Sequence, residues 1–212
     1  MSIIEAPPSE RPTIDLEEVR TEIITGLLPF YVGLASGISI GSSHPDLFRK
    51  LANRGITISQ IALPPNFADF SVPENTKPVD VVLHMDLVHV LSYEYMYRIM
   101  QETQRILRSS GRVVVSAPTK YRPVNQPQMS PYKVLTNDLV HPLTSFGFTL
   151  DYLVGIGDYG VRMVNTRIAP GDHQQKISAR NRKFICAPNQ ADFLIVIAKK
   201  PILPPVSLPM TS

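Results

Sequence analysis

Three clusters in this 212-residue chain carry side chains able to do chemistry. The first is Gly37-Ile38-Ser39-Ile40-Gly41, a G-x-S-x-G pattern that in hydrolases sets a nucleophilic serine on a sharp turn between strand and helix. Isoleucines on both sides of Ser39 argue against a strained turn and for a strand. The second is His84-x-Asp86-x-x-His89, where two imidazoles and a carboxylate could share a metal ion. No further ligand follows at a recognisable spacing, so a structured loop with ordinary histidines is the simpler expectation. The third is Tyr93, Tyr95 and Tyr97, whose rings could stack on bases but whose place at a helix start suits core and rim.

The elements that must position these groups centre on the stretch from Val79 to Pro118. Val79 to Leu83 is a short, nearly all-apolar run rich in β-branched residues, which predicts a strand buried on both faces of a parallel sheet. Ser92 can cap the helix that follows, and Glu94 in its first turn suits the positive end of the helix dipole. Met96, Ile99, Thr103, Ile106 and Leu107 recur at helical spacing and predict one buried face. Gly111 is expected to stop the helix in the left-handed conformation, and Val113 to Val115 to form a second buried strand. Strand, helix and strand of these lengths make a right-handed βαβ crossover.

This segment resembles the class I S-adenosylmethionine (SAM)-dependent methyltransferases. The resemblance is carried by Asp80, Leu91, Glu102, Arg105, Leu107, Gly111 and the "VVVSAP" ending at Pro118. Together they are like that family's fourth strand, following helix and fifth strand. The resemblance implies an α/β fold: a Rossmann-like methyltransferase sheet, mostly parallel with an antiparallel last strand, and helices on both faces. It says more about scaffold than about chemistry.

The rest of the chain fits that frame with one shortfall. A helix is predicted through "LEEVRTEIITGLL" from Thr13 or Asp15, a first strand over Gly37 to Gly41, and a helix ended by Gly55. A second strand is predicted over Ile56 to Leu63. Between it and Val79 stands only "PPNFADFSVPENTKP", whose four prolines exclude a helix of normal length where the family fits a helix and a third strand. The third strand either survives as "FADFSV" or is absent, so the sheet is expected to be trimmed. Thr136 then caps a helix shortened or kinked at Pro142 and closed by Gly147, and Phe148 to Gly155 alternates as an outer strand. Residues 157–190 lack periodicity and read as a solvated loop or small insertion, and Asp192 to Pro201 resembles the family's antiparallel seventh strand. The expected organisation is a Pro-rich tail over 1–12, a single domain over 13–200 and a second Pro-rich tail over 201–212.

The family cradles its cofactor on a G-x-G-x-G turn after the first strand, because glycine lets backbone approach the ligand and leaves amides free. Here the corresponding residues are Gly41-Ser42-Ser43-His44-Pro45. Ser43 adds a side chain where the ligand presses closest, and Pro45 removes an N–H donor. The family also ends its second strand on an acid that accepts the ribose hydroxyls, whereas this chain offers Gln60, Ala62, Leu63 and Pro64. Losing that carboxylate forfeits about 1.5–3 kcal/mol, or one to two decades of affinity. If the cofactor binds at all, the resemblance assigns it to Gly41, Ser42, Ser43, Asp69 and Asp86, with Asp69 on the adenine. The expectation is a degenerate, pseudoenzyme-like member that binds no cofactor. An active SAM-dependent methyltransferase is the alternative, and a serine hydrolase using Gly37, Ser39 and Gly41 a remote one.

Composition sets the remaining bounds. With 43% hydrophobic and 18% charged residues the chain is an ordinary globular one, and its 20 prolines collect in loops and ends that suit docking to a protein partner. The net charge of +3 lends nucleic acid binding little support. The single cysteine, Cys186, excludes an internal disulfide and any cysteine-built zinc site. With no signal-like N-terminus, and with Pro29 and several glycines interrupting the apolar stretch Ile23 to Ser43, an intracellular, cytoplasmic protein without a membrane span is expected.

Overall fold

The computed structural model describes residues 15–41, 43–64, 66, 70–87, 91, 93–119, 136–157, 185–186 and 191–202. In chain order these form α1 (Leu16–Val32), β1 (Ala35–Gly41), α2 (Pro45–Ala52), β2 (Ile56–Ile61), β3 (Val79–Met85) and α3 (Tyr93–Ile106). There follow β4 (Leu107–Pro118), α4 (Thr136–Ser145), β5 (Thr149–Ile156), β6 (Ile185–Cys186) and β7 (Phe193–Lys199). The strands make one sheet in the order β2-β1-β3-β4-β7-β5-β6. β1 pairs in parallel with β2 and β3, and β3 with β4. β7 slots antiparallel between β4 and β5, which returns β5 to the common direction, and β6 opposes β5. The sheet is therefore mostly parallel, with its antiparallel members at the late end.

Each face of the sheet buries one helix pair. α1 and α2 pack through Ile23, Leu27, Leu47 and Leu51 onto Val81, Leu83, Val114, Ile195 and Ile197. α3 and α4 cover the other face through Met96, Ile99, Leu139 and Leu143, against Val82, Val113, Val115 and Val196. Asp15 caps α1 by accepting from the Glu17 N–H at 2.9 Å. At the far end of α3, Lys200 Nζ donates to the carbonyls of Gln104 (2.5 Å) and Leu107 (2.6 Å), satisfying acceptors a helix leaves bare. Burial draws that ammonium's pKa down.

Among the described residues no strand lies between β2 and β3, and Phe67 to Asp69 lie outside them. Phe70 and Val72 instead tuck into the α3 core. The E-x-x-R pair holds them there: Glu102 accepts from the Val72 N–H at 3.0 Å, Arg105 donates to the Val72 carbonyl at 2.7 Å, and the two side chains pair at 2.8 Å. Among the described residues the sheet is trimmed at this edge, and the motif fastens the segment that runs there.

Several boundaries differ from the sequence expectation. β2 ends at Ile61 rather than Leu63, and β3 runs to Met85 rather than Leu83. β5 does not alternate, because its second half is buried on both faces, and β6 rather than β5 is outermost. Residues 185–186 of the expected loop form that strand. Thr136 lies within α4, which passes through Pro142, and Gly147 follows at φ 75°.

Gly111 neither ends α3, which stops at Ile106, nor takes the left-handed conformation; within β4 it is Ser110 that lies there, at φ 64°. The glycine serves close approach instead, since a Cβ there would lie 2.8 Å from Leu107 Cγ, 2.9 Å from the Arg108 carbonyl oxygen and 3.0 Å from that of Asp80. Gly111→Ala should cost about 1–3 kcal/mol through overpacking. Ser110→Gly should range from neutral to about 1 kcal/mol stabilising. Denaturant midpoints of the two variants check the contrast, and equal effects would refute it.

Candidate functional site

The carboxyl ends of β1 and β3 lie side by side, with Gly41 in register with Met85. Open α/β sheets bind ligands at such strand ends. Gly41 turns the chain at φ 96°, a conformation glycine adopts freely, and its carbonyl accepts from Gln60 Nε2 at 2.9 Å. Asp86, directly after β3, also lies in the left-handed region at φ 59°. Two of the expected cofactor residues, Gly41 and Asp86, are thus brought together. Ser43 is exposed beside them, and Pro45 is the first residue of α2. Ser42 and Asp69 lie outside the described residues.

The chain's own side chains crowd this crevice. Leu87 Cδ2 sits 2.3 Å from where a Cβ on Gly41 would be, so it covers the face of the turn that glycine leaves open. Arg20 reaches in from α1 and is 1% exposed. It donates to both Asp86 oxygens, at 2.5 Å from Nη1 and 3.0 Å from Nη2, and pairs with Glu17 one turn earlier. Its guanidinium stacks over the Phe193 ring, 4.8 Å from the centroid. On the other side His44 Nε2 stands 3.4 Å from Asp86 Oδ2. Burial pushes the Asp86 carboxyl up, but the nearby His44 imidazole and the hydrogen-bonded Arg20 guanidinium outweigh it and hold the pKa at about 2. The Arg20 Nε is buried without a hydrogen-bond partner among the described residues.

Sequence reasoning singled out Asp86 and missed Arg20, His44 and Leu87 as its neighbours. The one local signal was Glu17 three residues before Arg20, a spacing that brings the two together on a helix.

Ser39 is not a nucleophile. It lies mid-strand in β1, between Gln60 of β2 and Leu83 of β3, and is wholly buried. Its hydroxyl has no hydrogen-bond partner among the described residues, so no base is positioned to activate it there. Gly37 instead admits neighbours, since a Cβ there would lie 2.3 Å from Val81 Cγ1. The hydrolase alternative is overturned.

His84 sits inside β3 at zero exposure, its Nε2 2.9 Å from Thr103 Oγ1. Thr103 spends its proton on the Ile99 carbonyl at 2.7 Å, so it must accept from His84, which places the imidazole proton on Nε2. Desolvation lowers the His84 pKa to about 3. His84 thus points into the α3 core, and no metal-capable cluster occurs among the described residues, which do not include His89. Tyr97 packs on Phe146 with ring centroids 5.3 Å apart, a rim contact rather than a base platform.

No helix among the described residues is long and apolar enough to cross a membrane. No family model matches the sequence and no curated protein is similar to it. Solved structures do resemble the fold. A SAM-dependent methyltransferase from Archaeoglobus fulgidus aligns with TM-score 0.54 at 15% identity, covering 86% of this chain and 94% of that one. A TehB-like SAM-dependent methyltransferase from Corynebacterium glutamicum ATCC 13032 Kitasato gives 0.53 at 10% identity, over 85% and 87% of the two chains. An O-methyltransferase family protein from Burkholderia thailandensis gives 0.51 at 8%, over 89% of this chain and 57% of its own. At these identities the likeness concerns architecture, and by architecture the chain has the fold of the class I SAM-dependent methyltransferases.

Proposed function

We propose that this chain keeps a methyltransferase-like fold without its cofactor and acts as a non-catalytic binding or scaffolding protein toward a protein partner. The observation that carries the reading is the crevice at Gly41, occupied by Leu87 and by the Arg20–Asp86–His44 network. A nucleotide seated on the turn would have to displace Leu87. If it also drew Asp86 away from Arg20, a buried guanidinium would lose its main counter-charge, a penalty of about 3–5 kcal/mol. That is two to four decades of affinity. Ser43, the missing N–H of Pro45 and the absence of an acid over 60–64 weigh in the same direction.

Calorimetry with SAM and S-adenosylhomocysteine is the test. No binding is expected at ligand concentrations on the order of 100 µM, and a micromolar Kd for either would overturn the reading. An active SAM-dependent methyltransferase is the second reading. The left-handed turn at Gly41 and the retained carboxylate of Asp86 favour it, and the same titration separates the two.

A further inference from the structure

We infer, on the reading that the folded chain binds no cofactor, that the Gly41 crevice is a gated nucleotide site in which Leu87 is the stopper and the Arg20–Asp86 pair the latch that holds it down.

At the exit of β3 the backbone does two things at once. The Asp86 N–H still donates to the Ser116 carbonyl of β4 at 2.8 Å, while its φ of 59° turns the chain so that Leu87 lies over Gly41. Among the described non-glycine residues only Asp86 and Ser110 take a positive φ. Such a conformation is unfavourable in itself and persists where its surroundings over-determine it. Around Asp86 the determinant is Arg20, which donates to both carboxylate oxygens and is itself fixed by Glu17 and by the Phe193 ring. α1 thus holds the turn that aims Leu87, and His44 at 3.4 Å closes the other side of the carboxylate.

Stopper and latch are separable. Leu87 is 1% exposed and packs into the α3 core, and its side chain engages none of the polar groups of the crevice. Shortening it bares the face of the Gly41 turn while Arg20 keeps its counter-charge, so the penalty for unpairing a buried guanidinium does not arise. What is bared is glycine backbone at the carboxyl ends of β1 and β3, the place where open α/β sheets seat nucleotides. Loosening the latch acts differently. With Arg20 gone, Asp86 can leave its positive φ and carry Leu87 off the turn.

Titration of Leu87→Ala with S-adenosylhomocysteine should give a Kd below about 100 µM, at least tenfold tighter than wild type. The similarly sized Leu87→Met should stay as silent as wild type. A wild type that binds with micromolar Kd sinks both the gate and the cofactor-free reading. A silent wild type beside a folded but silent Leu87→Ala sinks the gate alone and leaves that reading standing. The latch has a readout that needs no ligand: in Arg20→Met, amide exchange at Asp86 and Leu91, whose N–H groups bond to Ser116 and Leu87, should quicken at least tenfold more than at Val196 inside the sheet. A parallel rise at all three sites, or none, overturns the latch, and this measurement decides the matter where Leu87→Ala fails to fold.

Discussion

Replacing Asp86 by asparagine is expected to destabilise the chain by about 3–5 kcal/mol. Asparagine is chosen because it tolerates the φ of 59° at this position, so the change removes charge rather than backbone freedom. The cost comes from Arg20, which is 1% exposed and would keep only Glu17, itself 47% exposed, as counter-charge. The reverse deletion should be milder. Arg20→Met leaves Asp86 at 20% exposure beside His44, and methionine still packs on Phe193, so about 1–2 kcal/mol is expected. The double variant should then be more stable than Asp86→Asn alone, because an apolar side chain replaces an unpaired cation. Urea midpoints of the three variants measure the coupling. Simple additivity would mean that Arg20 is not held by Asp86.

Acidification should weaken the fold well before most carboxylates titrate. His84 is buried neutral with its pKa lowered to about 3, against an unfolded value near 6.5. Between those limits the unfolded chain binds a proton that the folded one refuses, so stability falls as pH falls. The full contribution is present above about pH 6.5, and the loss is about 1.4 kcal/mol per pH unit through the middle of the window. By pH 5 it reaches about 2 kcal/mol. His84→Gln keeps an N–H for Thr103 but cannot titrate, and its stability should be nearly flat from pH 7 to pH 5. An unchanged slope in that variant would remove His84 as the cause. Below about pH 4 Asp86 adds a loss of the same sign, since its depressed pKa of about 2 makes the carboxylate a stabilising form that protonation destroys.

Elements whose signals are local could be read from the sequence. The apolar face of α3, Met96, Ile99, Thr103 and Ile106, is buried as its spacing requires, and Gly55 and Gly147 sit in left-handed turns where the helical patterns end. The four prolines before Val79 argued against a full helix and strand there, and the described residues of that stretch form neither. Groups whose meaning depends on a distant partner were not legible. Arg20 meets Asp86 across 66 positions, and although its spacing from Leu16, Ile23 and Glu17 sets it beside the apolar face of α1, nothing near it names that partner. Gly111 was read as a stop signal because glycine marks both positive φ and close contact, and only the approach of Leu107 and the Asp80 carbonyl tells which. The G-x-S-x-G pattern around Ser39 failed for the converse reason, a matching string whose glycine at Gly37 makes room for Val81 rather than for a turn.

β7 follows every other described strand in the chain, yet it lies inside the sheet, paired on one side with Arg112 to Pro118 and on the other with Thr149 to Ile156. A nascent chain that has emerged only as far as Ile156 holds two long apolar margins facing each other across an empty slot. Translation of Phe193 to Lys199 closes both at once, with Lys200 fastening the end of α3 in the same step. Completion of this sheet is therefore a late event, and a stop codon between Ile156 and Phe193 is expected to yield a product with two sticky edges rather than a smaller domain.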